Sequence, residues 1–365
     1  MATVNLATKF SPKLDERYKL RSRTDAFTGT NWEWNGANAI KMWTLIAADL
    51  NDYNNAASAN RFGTPSEVDD EVNTYALTKK RSFSKVFDIT NVQDTMMVRR
   101  AAAYLKQVWD EKYVPEIDQY RFSVWANGAG QGELNTTKLT KSTIMEKILL
   151  AHAALDDKYV PEENRATFIR SDIAVNLKLA DEMKNQQNWI DKTVVKGKIG
   201  EVNGSPIISV PKGLFPAGME FMVKHKQATA DPIKLRMLRA NDNAPGYAGT
   251  LMEGLCRYDS FVDAIRADGI YVYFESGMAA TPTASFSSSK LTLTSTDGGA
   301  VIKYTTDGTN PKQSATAQTY SAPLENITGK KVLFYAEVSG KINSPIGSYQ
   351  GGYLAGGGYP ASPFP

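Results

Sequence analysis

Residues 90–126, TNVQDTMMVRRAAAYLKQVWDEKYVPEIDQYRFSVWA, decide how the rest of the chain is read. Thr90 with Gln93 fits a capping box, in which each residue satisfies an orphan N–H of the first helical turn. Beyond it, Met97, Ala101, Tyr104 and Val108, flanked by Leu105 and Trp109, fall on one broad helical face. Pro115 has no N–H and its ring crowds the preceding turn, so it should kink or interrupt the helix. The apolar spacing nevertheless resumes at Ile117, Tyr120 and Val124, which predicts a long, bent spine helix from about 91 to 126. The following ANGAGQGELN (126–135) reads as a flexible loop. It is not a phosphate cradle, because no strand precedes its glycines and no Gly-Lys-Ser/Thr follows.

Upstream of this helix, residues 31–90 read as β structure. NWEWNGANAIKMWTLIAADL (31–50) sets Trp32, Trp34, Ile40 and Met42 in period two, with Asn35-Gly36 as a hairpin turn. After a polar loop, VNTYALTKKRSFSKVFDI (72–89) turns Tyr75, Leu77, Phe83, Val86 and Phe87 toward apolar faces. Such an extended hairpin cannot bury both faces by itself. Trp32, Trp34, Trp43, Phe83 and Phe87 are therefore the candidate contacts with a neighbouring subunit. The first 30 residues are polar and irregular, with Phe10, Leu14 and Tyr18 as one amphipathic patch, and read as an arm that packs on something else.

Downstream, helices interleave with strands. Thr143 and Glu146 should cap a helix whose Ile144, Ile148, Ala151 and Leu155 share a face, and Ser171 should cap another running through Leu179 and Met183. ATFIR (166–170) and GEVNGSPIISVP (200–211) supply strands, and two more lie between Gly249 and Glu275 with Ala267-Asp268-Gly269 as their turn. The pattern is an α+β core. At TPTASFSSSK (281–290) the composition shifts to Ser, Thr and Pro, marking a linker or the first strand of a new unit. Short strands and Asp-Gly turns continue to about 343, with Val301, Tyr304, Val332, Phe334 and Ala336 expected inside a small all-β sandwich. The tail, 344–365, is rich in Gly, Pro and Tyr and is expected to be mobile.

Composition narrows the function classes. Of 365 residues, 42 are basic and 39 acidic, a net charge of +3 that does not provide the concentrated basic patch of a sequence-specific nucleic-acid reader. One cysteine, Cys256, excludes an internal disulfide framework and reads as a buried small hydrophobe. With only His152 and His225, a Cys/His zinc site is out of reach. His152 reads as packed or half-exposed and His225 as a surface residue. No apolar run approaches a membrane span, and the start has no apolar signal-peptide region, so the chain is expected to stay in a reducing cytoplasm. Asp110-Glu111, Asp156-Asp157 and Glu162-Glu163 read as solvated helix ends. No nucleophile elbow, Walker loop, zinc helix or dinucleotide fingerprint occurs. The expectation is therefore no catalytic residue, no metal and no cofactor.

Four stretches resemble the major capsid proteins of tailed bacteriophages with the Hong Kong 97-type fold. They are NLATKFSPKLDERYKLRSRTDAF (5–27), RFGTPSEVDDEV (61–72), DTMMVRRAAAYLKQVWDEKYVPEIDQYRF (94–122) and YDSFVDAIRADGIYVY (258–273). The resemblance implies an N-terminal arm over 1–30, an extended loop over 31–90, and a P-domain with the spine helix plus an A-domain over 91–276. It also implies a homo-oligomer of hexamers and pentamers in an icosahedral head around double-stranded DNA, assembled in the bacterial cytoplasm. Its partners would be a portal, a separate scaffold protein and packaged DNA contacted without sequence specificity, with no membrane. YTTDGTNPKQSATAQTYSAPL (304–324) and KKVLFYAEVSGKINSP (330–345) resemble the immunoglobulin-like modules at the C-termini of chitobiase-type surface enzymes. That resemblance implies an immunoglobulin-like domain over 281–343, displayed outward, with Tyr304, Asp307 and Tyr320 as candidate residues for a host surface or glycan. The competing reading is a secreted carbohydrate-active enzyme or binding protein with an accessory β-sandwich, which would need an export signal and two acidic groups flanking a sugar cleft.

Overall fold

The computed structural model describes residues 22–45 apart from 37, 70–88, 101–180, 198–241 and 248–350, with scattered positions at 53–67 and 245–246. The fold is mixed α+β, mostly strand with few helices. Strands β1 (Glu33–Asn35), β2 (Ala39–Leu45) and β3 (Asp70–Ala76) form an antiparallel sheet. Gly36, at φ +65°, makes the β1–β2 turn that Asn-Gly predicts. Residues facing inward on β2 and just beyond β3 (Ile40, Met42 and Leu77) pack with Ala230. The chain then leaves this sheet, and β4 (Lys79–Asp88) joins another.

The long helix forms in three pieces. Helix α1 (Ala101–Val108) passes through one π turn, Trp109–Tyr113, into α2 (Val114–Gly128). The Val114 N–H reaches back to the Trp109 carbonyl, and this widened turn leaves room for the Pro115 ring where a break was expected. The Thr90/Gln93 capping box and Met97 lie outside the described residues.

Next come β5 (Gln131–Leu134), α3 (Ile144–Asp156), β6 (Arg165–Arg170), α4 (Ser171–Leu179), β7 (Lys198–Val202), β8 (Ser205–Val210) and β9 (Met219–His225). They are followed by β10 (Thr229–Ala230), β11 (Ile233–Asn241), β12 (Gly249–Tyr258), β13 (Phe261–Val262) and β14 (Ile270–Phe274). Six strands make the central sheet in the order β5-β14-β9-β6-β8-β7. Helix α2 covers one face, burying Phe122 and Trp125 on Phe168 and Met222. Helices α3 and α4 cover the other, burying Ile148, Leu155 and Ile173 on Phe221 and Val223. With both faces covered, all seven residues of β9 are buried and its sequence shows no alternation. Strands β11, β12 and β4 form a separate sheet in that order. Trp109, Tyr113 and Ile117 pack on its Cys256 and Tyr258.

Several local expectations are corrected. Residues 131–134 are a strand parallel to β14 where a loop was expected. The glycines there permit close approach: a Cβ on Gly132 would sit 2.6 Å from the Val272 carbonyl oxygen. Thr143 precedes α3, but its hydroxyl accepts from the Thr140 N–H, so the expected capping box is not made. Arg170 is the N-cap of α4 in place of Ser171, and Met183 lies outside the described residues. His225, expected on the surface, is buried on β9.

The C-terminal module has β15 (Thr283–Ser287) paired with β16 (Lys290–Thr294), and a second sheet ordered β18-β17-β19-β20. These are β17 (Val301–Thr305), β18 (Gln318–Thr319), β19 (Lys331–Glu337) and β20 (Gly347–Gln350). Leu291, Leu293, Ile302, Val332 and Phe334 pack together as its core. Val301 is exposed and Ile302 buried, because Ile302 shares the parity of Tyr304 on β17 and Val301 does not. Strand β20 pairs with β19 from Gly347 to Gln350, so the module continues past 343 into part of the expected tail.

Candidate functional site

The described fold gathers its chemistry at three places around α2 and the hairpin sheet. The first is the sheet β1–β3 itself. Trp43 and Val72 are cross-strand partners on the face opposite Ile40 and Met42, and both are exposed, Trp43 by 54%. Trp34 is also exposed, with the Lys234 ammonium 4.1 Å from its ring centroid and donating to the Gly36 carbonyl at 2.8 Å. Trp32 is half-buried, edge-on to Trp34, and donates its indole N–H to Gly29 O at 3.0 Å. Phe83 and Phe87 face this chain's own long helix, 6.2 Å from Tyr113 and 5.3 Å from Tyr104 between ring centroids. Of the five aromatics singled out by sequence, Trp34 and Trp43 present open surface. The other three pack largely within the subunit.

The second place joins residues 22–29 to α2. Asp118, fully buried, accepts from Ser22 Oγ at 2.8 Å, Arg23 N at 2.8 Å and Thr24 Oγ1 at 2.6 Å. Burial pushes its pKa up, and these donors work against that shift. One turn on, Arg121 donates to Thr24 Oγ1 at 2.7 Å and pairs with Asp25 at 2.5 Å. Asp231 completes the cluster by accepting from Trp125 Nε1 at 2.9 Å and Ser260 Oγ at 2.5 Å. Lys224 donates to the Phe27 carbonyl at 2.7 Å and lies 4.0 Å from the Trp125 ring centroid, and burial lowers its pKa to about 7. These groups hold residues 22–29 on the core.

The third place is the far end of α2, where the C-terminal module docks. Lys312 Nζ donates to Asn127 O at 2.9 Å and Ala129 O at 2.7 Å, the orphan carbonyls at the helix C-terminus. Its pKa is lowered to about 7 by burial. Asn343 N donates to Asn127 Oδ1 and Ile346 N to Gly130 O, and Ile342 bonds across to Gly277 and Ala279. No sequence signal singled out Lys312, because a Pro-turn between strands accounts for the surrounding residues without it.

The residues proposed for ligand contact on the module are differently engaged. Asp307 accepts from Thr309 N, Thr309 Oγ1 and Thr316 Oγ1, which holds its pKa down and closes the loop. Tyr304 donates to Gln318 Oε1, and Tyr320 accepts from Leu293 N beneath it. His152 is buried against Thr167, its pKa lowered to about 4 chiefly by burial. Asp156 holds Arg165 at 2.6 Å, so its carboxylate is engaged in an ion pair at the end of α3.

Comparison with known proteins follows this division. Residues 281–348 match the chitobiase/beta-hexosaminidase C-terminal domain family. A solved structure from Mycobacterium phage Che8 superposes at TM-score 0.57 and 16% identity, covering 75% of this chain and 99% of that one. The capsid structure of the cyanophage P-SCSP1u gives 0.57 at 12% identity, covering 73% and 92%. The mature capsid of bacteriophage PhiM1 gives 0.52 at 11% identity, covering 73% and 90%. No curated protein matches the sequence. The chain has a fold shared with phage capsid structures.

Proposed function

We propose that this chain is the major capsid protein of a tailed bacteriophage, with the Hong Kong 97-type fold, and acts as a structural protein. The observation that carries the reading is a fold likeness to phage capsid structures spanning 90% or more of each of those chains. The exposed Trp43 and Trp34 support it: Trp43 stands open on the face opposite Ile40 and Met42, and Trp34, paired with Ile40 on the other face, is exposed at that face's edge, so both suit contact with a second copy. In this reading residues 1–30 are the arm, 31–90 the extended loop, and 91–276 the P- and A-domains. Hexamers and pentamers build a virion head around DNA that is contacted without sequence specificity, with portal and scaffold as partners. The module from 281 is an immunoglobulin-like sandwich carried on the outer surface, where it can meet a host surface or glycan. Negative-stain microscopy of the purified chain, alone and co-expressed with its phage's scaffold, should show closed shells of megadalton mass. A monodisperse 40.1 kDa monomer under every assembly condition contradicts the reading.

A further inference from the structure

The segment Asn310–Gln313 crosses from the C-terminal module to three separate elements of the core. Asn310 Nδ2 donates to Ala264 O at 3.0 Å, in the turn after β13. Lys312 caps the end of α2, as described above. Gln313 Nε2 donates to Val262 O at 2.6 Å on β13, and its Oε1 accepts from Tyr75 Oη at 3.3 Å on β3. Tyr75 is also stacked on Phe261 at 5.0 Å, one residue from Val262. Beside these contacts a cleft of about 660 Å³ separates Asn73–Tyr75 and Ala264–Asp268 from the module's loops. The connection near Tyr75 therefore runs through polar side chains of the module.

We propose that the C-terminal module is an intramolecular clamp, which uses Asn310, Lys312 and Gln313 to fix the root of the β2–β3 hairpin against the end of the long helix. Lys312 registers the module on a rigid helix, and Gln313, its neighbour in sequence, transmits that position to Tyr75. Pro311 between the clamp residues restricts the backbone that carries them. The clamp sets the direction in which the hairpin leaves the core. That consequence matters for shell geometry if the capsid reading holds, but the clamp itself is a property of the single chain and is tested on it.

The test is hydrogen–deuterium exchange on the full-length chain in unassembled form, comparing the native protein with Lys312→Met and Gln313→Ala. Lys312→Met should raise exchange in peptides covering 70–76 and 261–269 by about tenfold, while peptides from 331–337 in the module stay protected. Gln313→Ala should raise exchange at 70–76 severalfold and leave both 331–337 and 114–128 unchanged. If Lys312→Met instead opens 331–337, the module itself has loosened and Gln313→Ala decides the matter, because among the described residues its side chain hydrogen-bonds to Val262 and Tyr75 of the core. Unchanged exchange at 70–76 in Gln313→Ala overturns the clamp, whether or not the chain assembles into shells.

Discussion

Residues 22–25 and the C-terminal module are both fastened to α2, and by opposite chemistry. At the first attachment, the helix supplies buried charged side chains: Asp118 and Arg121 reach out to residues 22–25. At the module, the helix end supplies backbone carbonyls and the neutral Asn127 amide, and the charge comes from Lys312 of the docking unit. Removing one partner of a buried charge network leaves the others desolvated and uncompensated, whereas the counter-charge near Lys312, Glu337, keeps its pairing with Lys303 and its bond from Tyr335 when Lys312 is lost. The anchor at residues 22–25 should therefore be the stiffer and more costly of the two to break.

The largest effect is expected at Asp118. Asp118→Ala leaves Ser22 Oγ, Arg23 N and Thr24 Oγ1 without their shared acceptor, removes the carboxylate whose charge offsets that of buried Arg121, and should destabilise the chain by about 3–5 kcal/mol. Chemical denaturation of the unassembled chain measures it, and a loss below about 1 kcal/mol would show that the anchor is incidental. Lys312→Met should cost about 1–2 kcal/mol, because the methionine stem keeps its packing while two bonds to carbonyls and the longer-range attraction of Glu337 and the Tyr335 ring are lost. Parity between the two losses would remove the distinction between the attachments.

The pH dependence sharpens the comparison with a smaller signal. Lys312 titrates near 7 in the folded chain against 10.5 for an ordinary lysine, and Lys224 behaves alike. Between those values the unfolded chain binds more protons, so the contribution of each lysine to stability rises with pH and is flat below 7. A neutral amine still donates to both carbonyls, and the Lys312 surroundings on β19 are Glu337 and the ring of Tyr335. The melting temperature should thus rise less steeply from pH 7 to 9.5 in Lys312→Met than in the native chain. His152 adds the opposite limit: its folded value near 4 against 6.5 means stability is lost as pH falls through that interval. Identical slopes in the variant and native protein would mean that Lys312 carries no buried charge.

Elements with a local cause could be read from sequence. The face of α1 and α2, the Asn35-Gly36 turn and the burial of Cys256 follow from periodicity and turn chemistry, and Pro115 marks the π turn closely. What escaped depends on distant partners. Strand β5 is polar and Gly-rich and exists because β14, some 140 residues on, offers it an edge. His225 looks like a surface residue between two lysines, yet it and Lys224 lie on a strand covered on both faces, and Lys224 is satisfied by a carbonyl 197 positions away. On the hairpin the excess of tryptophan is visible in sequence, while the packing of Phe83 and Phe87 on the long helix follows from the distant β4–β12 pairing. Lys312 was hidden inside a turn whose Pro and Asn explained its neighbours.

The central claim is that this fold serves shell assembly through its hairpin sheet. A cryo-electron microscopy reconstruction of particles formed by the chain tests it most directly. The account predicts closed icosahedral shells in which Trp34 and Trp43 of each copy are covered by an adjacent subunit, with residues 281–350 seated at the end of the long helix. Particles in which both tryptophans face solvent, or a chain that forms no particle at all, would contradict it.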